Sequence, residues 1–197
     1  DERIDIDVVG DALLGKWKKE RLEARATASD PRLHTIPGQT MAEHRERVFG
    51  QLGLLVEAGA IQRAYPSDLG GSDNHGGNIA AFQELVLADP SLQIKSGVQW
   101  GLFGAAILHL GTREHHERWL PDVMNLTLPG AFAMTEIGHG SDVASIGTTA
   151  TYDPATEEFE IHTPFTGAWK DYLGNAALHG QAAVVFAQLI TGGVNHG

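Results

Sequence analysis

Cysteine is missing from all 197 residues, which excludes disulfides, thiolate catalysis, Fe–S clusters and Cys-ligated zinc in this chain. Basic residues are scarce: 14 Lys and Arg stand against 25 Asp and Glu, a formal net charge of −11. A protein that tracks a phosphate backbone needs a basic face, so nucleic acid is excluded as a partner. An anionic small molecule needs only a local positive site and is not excluded. Long hydrophobic runs are missing too. The most apolar stretch, Gly97 to Gly111, is interrupted by Gln99 and His109 and is too short for stable membrane insertion. The opening DERIDIDVVG is acidic and lacks the apolar core of a signal peptide. These absences point to a soluble, intracellular chain. What is present, 42% apolar and 20% charged residues, suits a globular protein long enough to bury a sizeable core.

Charge and pattern both change near residue 128. Residues 1–128 hold 13 of the 14 basic residues, whereas residues 129–197 hold only Lys170 against seven acids. The first part reads as four or five helices: Ala12–Ala28, rich in helix formers; a helix opened by the capping-box spacing of Thr40 and Glu43 and ending near Gly59; Ile79–Ala88; Ser91–Leu110, apolar nearly all round and so a buried central helix; and Thr112–Met124, limited or kinked by Pro121. Turn formers from Tyr65 to Gly77 predict a loop. After Pro129 the period becomes two. Thr149–Tyr152 and Glu158–His162 flank a hairpin turn, and Ala182–Ile190 is a further strand. So few strands leave open edges, from which a truncated domain is expected. The reading is α+β: an N-terminal helical bundle domain over 1–128, then the beginning of an antiparallel β-domain over 129–197.

Two segments carry candidate chemistry. Ala131 to Val143 reads as a strand running into a loop, with Gly138 and Gly140 allowing a ligand close to the backbone and Thr135 and Ser141 offering hydroxyl donors. An ordinary strand-to-loop turn fits that spacing equally well. Gly167 to Asn175 interleaves Trp169, Lys170 and Tyr172 between glycines, which suits a stacked planar ligand. On composition alone, aromatics of a core strand account for it better. His109, His115, His116 and Glu117 lack a metal-binding spacing and read as a solvated helix end. Ser141, His139 and Asp142 stand together, but hydrolase triads converge from separate segments and no Gly-x-Ser-x-Gly is present. Neither a Walker A loop nor a Gly-x-Gly-x-x-Gly occurs.

Together the two segments resemble the acyl-CoA oxidase and acyl-CoA dehydrogenase superfamily. Phe132–Asp142 (FAMTEIGHGSD) looks like its flavin loop and Lys170–Ala176 (KDYLGNA) like its second flavin-contacting strand. His139, the hairpin Thr148–Pro164, the strand Ala183–Ile190, and upstream Phe103–Ile107 and Leu110–Pro121 are similar to the oxidase branch. The resemblance implies FAD as cofactor, with Met134, Thr135, Gly140, Ser141, Tyr172 and Gly174 contacting it, Thr135 at the isoalloxazine ring and Gly174 with its backbone against the flavin. Acyl-CoA and O2 are the implied substrates, a homodimer the implied assembly, and trans-2-enoyl-CoA with hydrogen peroxide the products. The implied location is cytoplasmic, or peroxisomal if the source is eukaryotic. The family's catalytic glutamate belongs to a C-terminal helical domain beyond residue 197, so no catalytic residue is assigned here and Glu136 is read as structural. Two alternatives stay open: a dehydrogenase passing electrons to a carrier protein, and a non-catalytic fragment or subunit completing a site with a partner chain.

Overall fold

The computed structural model describes residues 4–197, and the chain divides into two compact units, one running to Leu128 and the other from Pro129 to Gly197. The first is helical. Helix α1 (Ile6–Leu14) is capped by the Asp5 carboxylate, which accepts from the amides of Asp7 and Val8, and α2 spans Lys18–Ala28. The sequence reading joined part of α1 to α2. Gly15, at φ +63°, separates them, because a residue in the left-handed region cannot continue a right-handed helix. Helix α3 (Met41–Glu57) begins with the expected capping box: Glu43 N donates to Thr40 Oγ1 at 3.3 Å and Thr40 N to Glu43 Oε2 at 2.8 Å. It buries Val48, Gln51, Leu52 and Leu55, and Gly59 follows at φ +66°.

Helix α4 (His75–Glu84) starts inside the segment expected to be loop. Asn74 accounts for this: its Oδ1 accepts from Gly77 N at 2.9 Å, satisfying an amide of the first turn despite Gly76 and Gly77. The expected central helix is unbroken but not uniform. Helix α5 (Pro90–Ser96), opened by the Asp89 cap, passes into a π-helical stretch, Gly97–Gly104, and then into α6 (Ala105–Leu110). Nor is it buried all round, since Ile94, Leu102 and Leu110 are exposed. In the widened stretch, neighbouring side chains reach different acceptors: Gln99 Nε2 donates to Leu128 O at 3.0 Å and Trp100 Nε1 to Val123 O at 2.9 Å. Helix α7 (Arg113–Met124) contains Pro121 without ending there. Leu33, Leu52, Leu55, Leu92, Phe103, Leu120 and Val123 form the fully buried core.

The second unit holds six strands: β1 (Gly130–Ala133), β2 (Thr149–Asp153), β3 (Glu158–His162), β4 (Ala182–Val185), β5 (Gln188–Thr191) and β6 (Val194–Asn195). The hairpin β2–β3 pairs Thr149 with His162 through Asp153 with Glu158. The unit is not simply antiparallel as expected: β1 and β4 form a two-stranded parallel sheet, and in the four-stranded sheet β3-β2-β5-β6 the β2–β5 pair is parallel while β2–β3 and β5–β6 are antiparallel. Connections of more than thirty residues separate the members of each parallel pair, long enough to return a strand in the same direction. The single strand expected over Ala182–Ile190 is two. At Phe186–Ala187 the chain leaves β1 for β2, with Phe186 N still donating to Ala133 O at 3.0 Å and its ring 4.8 Å from that of Phe132.

Candidate flavin site

Both candidate segments lie within the second unit, and the backbone joins them. After β1 the chain turns tightly at 136–139, where Glu136 N donates to His139 O (3.2 Å) and His139 N to Glu136 O (3.1 Å). Against this turn runs 167–171: Asp171 N donates to Thr135 O (3.1 Å), Ile137 N to Trp169 O (3.0 Å) and Gly138 N to Gly167 O (2.8 Å). A Cβ on Gly138 would lie 3.1 Å from Gly167 O, so the glycine permits this close approach.

At the centre sits Glu136, its side chain fully buried. Oε2 accepts from Gly147 N at 2.7 Å. Oε1 accepts from Thr148 N at 2.9 Å, Thr148 Oγ1 at 2.6 Å and Lys170 Nζ at 3.0 Å. Burial pushes this carboxyl up, but the donors from Gly147, Thr148 and Lys170 outweigh it and hold it at about 2, since each favours the charged form. Lys170, itself largely buried, also donates to Met134 O at 3.0 Å. The only Lys or Arg among residues 129–197 therefore clasps the residues on both sides of Thr135.

The six residues expected at the flavin divide into three groups. Met134 and Thr135 are half-buried at the clasp. Gly140 and Ser141 are exposed at the far side of the loop, and a Cβ on Gly140 would meet nothing within 4 Å. Tyr172 and Gly174 are not on a strand, which corrects that expectation. Only Lys170 bridges, and 174–179 is a turn. Asn175 explains the departure: buried at φ +67°, it donates Nδ2 to Gly130 O at 2.8 Å and pins the turn to the start of β1. Tyr172 is 86% exposed at φ +57°, and Trp169 is 54% exposed, so neither is a core aromatic. Thr148 and Asn175 escaped sequence reasoning, because their roles depend on partners at least 12 residues distant.

The residues at the clasp fit the ring of a flavin. Among the described residues the half-buried Thr135 hydroxyl has no protein partner, and the amides of Gly140 and Ser141 donate to no backbone carbonyl. A hydroxyl and free amides beside a glycine are the donors that a planar, acceptor-edged heterocycle needs. Tyr172 and Gly174 contribute no comparable observation. Separately, the helical unit has a half-open, mainly apolar pocket of about 210 Å³ lined by Leu55, Ile61, Tyr65, Phe82, Leu85 and Trp100, among others. Among the described residues no group of three or more His, Asp or Glu is arranged to hold a metal ion. His115 instead caps α7, accepting from Thr112 N at 3.0 Å.

Residues 20–127 match the model of the acyl-CoA dehydrogenase N-terminal domain. Among curated proteins the chain is similar to peroxisomal acyl-coenzyme A oxidase 2 of Arabidopsis thaliana, 39% identical over 94% of this chain and 27% of that protein. It is also similar to peroxisomal acyl-coenzyme A oxidase 3 of the same plant, 40% identical over 81% of this chain and 23% of that one. The chain thus spans about a quarter of the length of these relatives. Among solved structures, acyl-CoA oxidase 3 of Yarrowia lipolytica superposes with a TM-score of 0.72 at 29% identity, over 92% of this chain and 25% of the other. Acyl-CoA oxidase 2 of Caenorhabditis elegans, solved with FAD, ascaroside-CoA and ATP, gives 0.73 at 25% identity, over 98% and 28%. Helices followed by a small sheet region are the shared fold, and the chain belongs to the acyl-CoA dehydrogenase family.

Proposed function

We propose that this chain is the N-terminal portion of an FAD-dependent acyl-CoA oxidase, with residues 1–128 as the N-terminal helical domain and 129–197 as the first part of the middle β-domain. The whole protein would convert an acyl-CoA to the trans-2-enoyl-CoA and pass the electrons to O2 as hydrogen peroxide, acting as a homodimer. A peroxisomal location goes with a eukaryotic source and a cytoplasmic one otherwise; among the described residues no helix is long and apolar enough to cross a membrane. The observation that carries the reading is the clasped loop, which offers the unpartnered Thr135 hydroxyl at its base and open backbone at Gly140 and Ser141 further along it.

Bound flavin supplies the redox chemistry, and the protein supplies position and electrostatics. Thr135 would donate to the ring, with Met134, Gly140 and Ser141 providing its backbone surroundings and Tyr172 and Gly174 the proposed contacts of the second segment. Glu136 takes no part in proton removal: a buried carboxylate held at about 2 by four donors has neither the basicity nor the access.

Purified from its source, the protein should be yellow, and acyl-CoA should bleach its flavin band without oxygen. Peroxide formed on admitting air distinguishes the oxidase from a dehydrogenase. A colourless protein, or a flavin that acyl-CoA leaves oxidised, would refute the proposal.

A further inference from the structure

We infer that Glu136 and Lys170 are positioning residues whose buried pair sets the backbone on either side of Thr135 and so aims its hydroxyl at the cofactor. The inference rests on the flavin reading above. Lys170 Nζ reaches Met134 O and Glu136 Oε1, both at 3.0 Å, while Asp171 N holds the carbonyl of Thr135 itself at 3.1 Å. Three consecutive residues are thereby fixed by two, and the Thr135 side chain is the polar group left without a protein partner among them. The other end of the loop is fixed by the same carboxylate, through the amides of Gly147 and Thr148.

Four protein donors converge on this fully buried carboxylate, three at Oε1 and one at Oε2. Buried and held by the protein's own donors, Glu136 acts on a ligand only through what it holds in place. A buried ion pair is a poor source of net stability, and its best-attested use is to fix a register. Here the register is that of the two segments at the candidate site. Between the clasp and Gly147, residues 140–145 are exposed, so the loop has a rigid base and an open tip.

Lys170→Met removes the cation while keeping an unbranched side chain, and Lys170→Arg restores the charge. In the complete protein, Lys170→Met should weaken FAD binding by about 10- to 100-fold, the scale of one charge-assisted hydrogen bond. It should also change the circular dichroism of any flavin still bound and lower kcat more than it raises KM for acyl-CoA. Lys170→Arg should recover part of each. Should Lys170→Met fail to fold, the double variant Glu136→Gln/Lys170→Met carries no unpaired charge and replaces it in the same measurements. A folded variant with parental FAD affinity and flavin dichroism overturns the inference while leaving the flavin reading intact. A parent protein that holds no flavin overturns both.

Discussion

The two units use charge in opposite ways. In the helical unit cations are plentiful and their contacts overlap. Arg21 and Arg25 of α2 share Glu84 of α4, at 2.7 and 2.8 Å. Arg47 lies 2.9 Å from Asp89 Oδ2, an ion pair without hydrogen-bond alignment, and also donates to Gln39, Gln51 and the carbonyl of His34. The second unit has a single cation, and it is buried against a single buried acid. Redundant pairing spreads the effect of any one loss, whereas a lone pair at the base of a loop concentrates it. Helix packing survives such spreading because many apolar contacts fix it. A loop without a core of its own depends on the few polar contacts that pin it.

The sharpest way to break that contrast is Glu136→Ala. It strands the Lys170 ammonium and leaves the Gly147 and Thr148 amides without their acceptor, a loss of about 3–5 kcal/mol for breaking a buried pair. Denaturant titration followed at the Trp169 environment should register it, while the far-ultraviolet helix signal keeps its parental midpoint. A common shift of both signals would show that the two units unfold as one.

Acid should do the same more gently. The Glu136 carboxyl ionises at about 2 in the folded chain against 4.5 ordinarily. A depressed pKa contributes stability that is complete above pH 4.5 and disappears as pH falls toward 2. The contribution is about 3 kcal/mol at ~1.4 kcal/mol per unit. Glu84 and Asp89 are lowered too, so acid weakens both units. The Glu136→Gln variant should flatten the dependence in the second unit only, and an unchanged acid limb there would contradict the assignment.

In the helical unit the vulnerable point is steric. A Cβ on Gly104 would stand 2.1 Å from Tyr65 Oη and 2.9 Å from Val123 Cγ1. Both neighbours are buried, and the Tyr65 hydroxyl donates to Trp100 O at 3.0 Å. Gly104→Ala should therefore cost about 1–3 kcal/mol by overpacking, read as a lower midpoint of the helix signal. A parental midpoint would mean that the π-helical stretch relaxes to admit the methyl.

What the sequence made legible follows the range of the signals. The Thr40–Glu43 cap and the β2–β3 hairpin are local, and the structure has both where the pattern put them. Segments read through composition fared worse. The apolar run Ser91–Leu110 carries no period that distinguishes a π-helical stretch from an α-helix, and the partners of Gln99 and Trp100 there, Leu128 O and Val123 O, are more than 20 positions away. The apolar run Ala182–Ile190 reads the same whether a strand keeps one partner or changes from β1 to β2. At the candidate site the strand running into a loop with hydroxyls and glycines was legible, and Glu136 as structural. Its clasp was not, since Thr148 and Lys170 meet Glu136 across 12 and 34 positions. Gly174 misled as a strand residue because the turn is dictated by Asn175 and its bond to β1.

At the loop itself, Thr135→Ala should reduce FAD affinity by about 1 kcal/mol, the net worth of one ordinary hydrogen bond. Equilibrium flavin titration measures it. The effect should be smaller than that of Lys170→Met, because one contact is lost and the backbone stays in place. An equal or larger loss would place the determinant in the hydroxyl and not in the clasp.

The smallest effect belongs to the exposed pairs of the helical unit. Arg113 lies beside both Asp68 and Glu117, the latter one turn along α7 at 2.7 Å, and all three side chains are more than half exposed. Water already solvates these charges, and ordering the long side chain offsets the Coulombic gain. Arg113→Ala should then change stability by less than about 1 kcal/mol, and that remainder should shrink at high salt, which screens exposed pairs first. Urea midpoints at low and high ionic strength test both statements. If Arg113→Ala instead cost as much as Glu136→Ala, burial would not be what separates the two kinds of ion pair. The 3₁₀ turn at Ser67–Leu69 that carries Asp68 would then be a true fastening point of α7.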